Sequence, residues 1–155
     1  MNKTHTDILI IGVGLAGMTA AISAAKSGKK ITMITKTNSL VSGNTPWAQG
    51  GIVFQGLNDS QNKLKQDILN AGAGHCWEEA VDHLCAYGPK LVQKILIDTL
   101  GARFDVHKAT NTLKRVAEGA HSDARVIYNQ DKTGQSIHRA ALNYLKKLNN
   151  VEILT

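Results

Sequence analysis

The glycine turn GVGLAG, Gly12 to Gly17, constrains this chain more than any other feature because of what flanks it. Before it, Asp7 to Ile11 (DILII) is an unbroken apolar run, the pattern of a strand covered on both faces. After it, Leu15, Met18, Ile22 and Ala25 recur at helical spacing until Gly28 offers a helix stop. Ile31 to Thr35 (ITMIT) then reads as a second buried strand. Strand, tight turn, helix and strand make a βαβ unit, whose crossover is right-handed and whose strands are parallel. Within it Gly12 permits the turn, Gly14 lets backbone approach a pyrophosphate, and Gly17 lets helix and strand pack closely. The N–H groups and dipole at the helix start favour negative charge. A dinucleotide is the expected ligand, since the motif sits between a strand and a helix.

The end of the second strand leaves the choice of dinucleotide open. An acidic residue there would bond the ribose hydroxyls of NAD or FAD. Thr35 and Lys36 stand there instead. Lys36 by itself favours a 2′-phosphate, or is an exposed lysine ending a strand.

Beyond Lys36 the regular alternation stops. Lys36 to Ile52 is rich in Ser, Gly, Asn and Thr, with Pro46 and the pair Gly50-Gly51, and reads as an irregular loop. Helices are expected at about 60–71, 77–86 and 89–100, with Pro89 in the first turn of the third. A last helix is expected at about 134–148, with Asp131 or Thr133 as its cap, followed by a third strand at 151–154. The expected fold class is α/β, a Rossmann-like parallel sheet flanked by helices, with a largely helical insertion after the second strand. A doubly wound fold needs a second set of strands. Only three are found before Thr155, so the sheet is expected to be incomplete and the chain to be the N-terminal part of something longer.

Composition excludes several classes. At 155 residues and 43% hydrophobic, the chain suits one ordinary core. Its apolar segments are too short for a membrane span, and Met1 to Thr6 lacks the apolar core of a signal peptide. Net charge is +6, but the basic residues are scattered and aromatics are only 5%, which does not make a nucleic-acid surface. Cys76 and Cys85 read as reduced thiols, with no metal-ligand spacing beside them. His5, His75, His83, His107 and His138 show no paired spacing and receive no role. A cytoplasmic location is expected.

Four segments, in order, resemble the succinate dehydrogenase/fumarate reductase flavoprotein family, and within it the L-aspartate oxidase branch. They are the glycine turn, SGNTPWAQGGI at Ser42 to Ile52, AGAG at Ala71 to Gly74, and EGAHSDARVIYNQDKTGQSI at Glu118 to Ile137. Lys in place of an acid after the second strand is also a feature of that branch. The resemblance implies FAD, with Gly12, Val13, Gly14, Leu15, Ala16 and Gly17 along its pyrophosphate and Lys36 near the adenosine ribose. Asn44, Thr45, Pro46, Trp47, Ala48, Gln49, Gly50 and Gly51 would wrap the isoalloxazine, with Thr45 and Gln49 bonding its polar edge. Trp47 is either a flavin contact or a core aromatic. Asn44 replaces the histidine that links covalently to flavin in the membrane-complex relatives, so FAD would be held noncovalently.

The resemblance further implies a substrate role for Glu118, whose carboxylate could pair with the ammonium of L-aspartate. His121 and Arg125 are candidate anion-binding residues; their alternatives are a structural histidine and an exposed arginine. Ala120 stands where the family has glycine. The implied reaction is oxidation of L-aspartate to iminoaspartate, the first step toward quinolinate and NAD, with oxygen or fumarate taking the electrons. Further carboxylate-binding groups of the family lie in a capping domain and later strands; these and a C-terminal helical domain are expected to lie outside this chain. A soluble fumarate reductase-like enzyme and a noncatalytic flavin- or NADP-binding module remain alternatives on these residues.

Overall fold

The computed structural model describes residues 5–155. They divide into two units: residues up to Ala48 with Gly134–Thr155, and Gln49–Thr133.

In the first unit, β1 (Ile8–Ile11), β2 (Ile31–Ile34) and β5 (Val151–Leu154) form a parallel sheet in the order β1-β2-β5. The register pairs Ile8 with Ile31 and Ile31 with Val151, and continues residue by residue to Ile11, Ile34 and Leu154. Central β2 buries Ile31, Thr32 and Met33, as its continuous apolar run predicts. β1 departs from the same expectation. Its residues alternate between faces, and Leu9 and Ile11 are 54% and 81% exposed. The physical reason is that the face carrying Leu9 and Ile11 is left uncovered by the described residues, and an apolar run cannot distinguish a covered face from an open one.

Helix α1 (Leu15–Ala25) connects β1 to β2 and buries Met18, Ala21 and Ile22. Helix α4 (Thr133–Leu145) buries Ile137, His138, Ala141, Leu142 and Leu145 at helical spacing. The Asn150 side chain donates 2.9 Å hydrogen bonds to the carbonyls of Ala25 and Lys29, tying the entry to β5 onto the exit from α1.

In the second unit, α2 (Gln61–Gly72) starts at Ser60, whose hydroxyl accepts the Lys63 N–H at 3.2 Å. The two helices expected around Pro89 are one. α3 (Glu78–Leu91) runs through Pro89 and continues without a break as a π-helical segment, Val92–Thr99. Proline has no N–H for the preceding turn and its ring crowds that turn. The helix answers by widening beyond it rather than stopping: Leu100 N–H reaches the Ile95 carbonyl, five residues back, at 2.9 Å. Leu64, Val81 and Cys85 form the core here, with Val53, Ile68, Leu69 and Cys76 packed on them. Both thiols are free, and burial pushes the Cys85 thiol up, away from reactivity.

A short antiparallel ladder unseen in the sequence joins β3 (Ile52–Val53) to β4 (Val126–Ile127). Phe54 N–H extends it to the Arg125 carbonyl at 2.8 Å. Among the described residues, no helix is long and apolar enough to cross a membrane.

Candidate functional site

The glycine turn meets its geometric requirements. Gly12 has φ +105°, a conformation L side chains rarely adopt, and a Cβ on Gly17 would overlap the Gly12 carbonyl. Val13 is buried, while Gly14 and Ala16 are exposed and Leu15 is half-buried. Gly14 is the N-cap of α1 and brings no capping side chain of its own to the helix start, where an anion is favoured. Ile11, Gly12, Val13, Gly14, Ile34, Thr35, Lys36, Ser42 and Gly43 line a cleft of about 420 Å³ at this end of the sheet. Exposed Lys36 lies on that cleft, at the end of β2, where the expected adenosine ribose would lie.

The loop after β2 is fastened to the turn. Thr45 Oγ1 accepts the Leu15 N–H at 3.1 Å, so this hydroxyl already serves the helix start. Thr45, Pro46 and Trp47 form one 3₁₀ turn, with Asn44 before it and Ala48 after it. The Ala48 carbonyl accepts the Gly134 N–H at 2.8 Å, and a Cβ on Gly134 would collide with the Thr45 and Ala48 carbonyls. Glycine opening α4 therefore lets the loop lie directly on that helix start. Trp47 is 76% exposed, so the described residues do not make it a core aromatic.

Sequence reasoning gave His138 no role, and the structure buries it at 3% exposure, hydrogen-bonded to the Val13 backbone. Burial pushes its pKa below the usual histidine range, with the Val13 bond opposing in part. It is a neutral strut under the glycine turn. Its place in the α4 stripe between Ile137 and Ala141 was the available signal.

In the second unit, Gln49, Gly50 and Gly51 are exposed and lead into β3. A Cβ on Gly50 would lie 3.4 Å from Glu118 Oε1, so the loop backbone passes close to this carboxylate. Glu118 itself is exposed. Its carbonyl accepts the His121 N–H at 3.1 Å, closing a turn in which Ala120 takes φ +67°. A methyl-bearing residue thus occupies a left-handed position that glycine holds without strain.

Arg125 is not the exposed arginine of the alternative reading. It is 0% exposed, and two carboxylates face it. Its Nε and Nη2 donate to Asp59 Oδ2 and Oδ1 at 2.7 and 2.8 Å. Its Nη1 donates to Asp67 Oδ2 at 2.5 Å and lies 2.8 Å from His121 Nδ1. Asp67 Oδ2 also accepts the Ser122 N–H and hydroxyl at 2.8 and 2.9 Å. The guanidinium holds the Asp67 carboxyl down at about 2 and the Asp59 carboxyl below its usual range. Asp59 and Asp67 were missed in the sequence; they sit just before and within α2, far from Arg125 along the chain. Among the described residues, no group of His, Cys, Asp and Glu could hold a metal ion.

A helix start behind a glycine turn, on a parallel sheet with a cleft at its carboxyl end, defines a dinucleotide-binding α/β protein. Residues 7–155 match the family described as FAD binding domain, and the chain belongs to it; its cofactor is FAD. The chain is 38% identical to an L-aspartate oxidase of Halobacterium salinarum, over 99% of its own length and 29% of that protein. With an L-aspartate oxidase of Clostridium acetobutylicum the identity is 36%, over 97% of this chain and 33% of that one. The chain thus spans a third or less of these relatives. Among solved structures, Mycobacterium smegmatis Sdh1 in complex with UQ1 superposes with TM-score 0.89 at 22% identity, over 99% of this chain and 28% of that chain. A quinol-fumarate reductase with menaquinol molecules gives TM-score 0.89 at 22%, over 99% and 26%. At that identity the likeness is one of fold.

Proposed function

We propose that this chain is the N-terminal portion of the FAD-binding domain of an enzyme that oxidises L-aspartate to iminoaspartate. The observation that carries the reading is the Glu118 carboxylate against the Gly50 backbone, within the loop that resembles the family's flavin loop. A carboxylate at that place complements the ammonium of an amino acid and repels a plain dicarboxylate such as succinate. The L-aspartate oxidase names of the relatives agree with it.

In this reading Gly12 to Gly17 hold the pyrophosphate, Lys36 lies near the adenosine ribose, and Asn44 to Gly51 follow the isoalloxazine. The geometry of this chain fits such a group: an exposed turn at Gly14 and Ala16, and a loop pinned by Thr45 and Gly134. Asparagine at position 44 forms no covalent flavin link, so the cofactor is exchangeable. Bound FAD supplies two-electron redox chemistry, passing electrons on to oxygen or fumarate. The protein's part is to orient the substrate Cα and neutralise its charges. Groups for both substrate carboxylates come in part from a capping domain and further sequence, as the length of the relatives supports. The reaction is the first step toward quinolinate and NAD, in the cytoplasm.

The test is in two parts. Purified chain is mixed with FAD, desalted and scanned in the visible; a retained flavin band is expected, and a colourless protein counts against a self-sufficient cofactor site. The complete protein is then assayed with L-aspartate and with succinate. Turnover of succinate but not aspartate would replace this reading with a succinate dehydrogenase-like one.

A further inference from the structure

The surroundings of Arg125 give it a task other than binding substrate. Guanidinium carries five N–H donors and no acceptor, and it stays charged at any working pH. Four of those donors are directed at Asp59, Asp67 and His121. The contact with His121 Nδ1, at 2.8 Å, therefore has one chemical sense: Arg125 donates and Nδ1 accepts. An imidazole accepting at Nδ1 has no proton there, and its neutral form carries the proton on Nε2.

We propose that Arg125 is a positioning residue that fixes His121 as the Nε2–H tautomer, so that His121 offers one neutral donor to a substrate carboxylate. Asp59 and Asp67 are in turn the residues that hold Arg125. The substrate half of this rests on the reading that the turn carrying Glu118 faces L-aspartate.

Each part of the cluster restricts a different freedom. Asp59 grips the guanidinium with both oxygens, which fixes its plane. Asp67 Oδ2 bonds Arg125 and, through N–H and hydroxyl, Ser122, the residue next to His121. The residue after His121 and the group that directs its ring are thus tied to the same oxygen. Two carboxylates face one guanidinium, so the cluster lends no positive charge to its surroundings. Recognition of a carboxylate here then falls to a neutral donor, while Glu118 answers the ammonium.

The experiment is a long-range nitrogen–proton correlation spectrum of the FAD-loaded chain, labelled at histidine, at about pH 8, above the usual histidine range. The pattern of an Nε2-protonated ring is expected for His121. A ring protonated on Nδ1, or on both nitrogens, overturns the proposal without any variant. In Arg125→Met combined with Asp59→Asn and Asp67→Asn, which strands no charge, the single tautomer is expected to become a mixture. A folded triple variant with the tautomer unchanged overturns the role of Arg125. In the complete protein, added L-aspartate is expected to shift the Nε2 signal. If the tautomer is as stated and aspartate moves nothing, the substrate-facing reading fails and the tautomer assignment stands.

Discussion

The first unit is shaped by apolar periodicity: β2 buries three successive residues, and α1 and α4 bury stripes at helical spacing. In the second unit, the turn bearing Glu118 and His121 is held instead by Arg125 between Asp59 and Asp67. A unit shaped by surface burial should yield gradually to lost methylenes. A turn held by a buried charge should fail abruptly when one partner is removed and resist when all are.

Arg125→Ala should therefore have the largest effect, a loss of about 3–5 kcal/mol in urea unfolding, because Asp59 and Asp67, with side chains only 4% and 12% exposed, lose their buried counter-charge. A loss below about 1 kcal/mol would show that the charges do not hold this turn. Next comes Gly17→Ala, whose methyl would overlap the Gly12 carbonyl. It should weaken FAD binding at least about tenfold, roughly 1.4 kcal/mol, by fluorescence titration. An unchanged affinity would mean the turn can open without cost.

Acid should separate the two units. His138 has its pKa lowered by burial, so the unfolded chain takes up a proton first as pH falls. The first unit accordingly loses stability from about pH 6.5 downward, and His138→Gln should remove that dependence. Asp59 and Asp67 have lowered pKa values, Asp67 at about 2. Their contribution is complete above the usual carboxylate value and is lost from about pH 4 toward 2. Amide exchange followed against pH reads both; simultaneous loss in the two units would break the distinction. The smallest effect is a gain: Ala120→Gly relieves φ +67° and should stabilise by about 0.5–1 kcal/mol in thermal melts.

The sequence made the first unit legible because each signal was local. DILII, the glycine turn and ITMIT gave two strands and a helix, and the family match bears out the α/β class and the FAD assignment. The misreadings have physical causes. Pro89 reads as a helix start because its missing N–H is harmless there, but a π-helical widening absorbs the same defect in mid-helix. β3 and β4 are two residues each, too short for any alternation to register. Arg125 looked like a free cation because its counter-ions lie in and beside α2, and pairing across such a separation leaves no periodic trace. Trp47 read equally well as core or contact; only coordinates could show it standing in the open.

The bond from Gly134 N–H to the Ala48 carbonyl has a consequence in time. Ala48 leaves the ribosome early, but the helix start that fixes it follows only after the entire second unit has been made. The central strand waits likewise for its second neighbour, β5. Cofactor capture thus waits until Gly134 has been made, and chains arrested short of it should emerge without flavin. Arrested chains that already retain it would show that the loop finds its shape unaided.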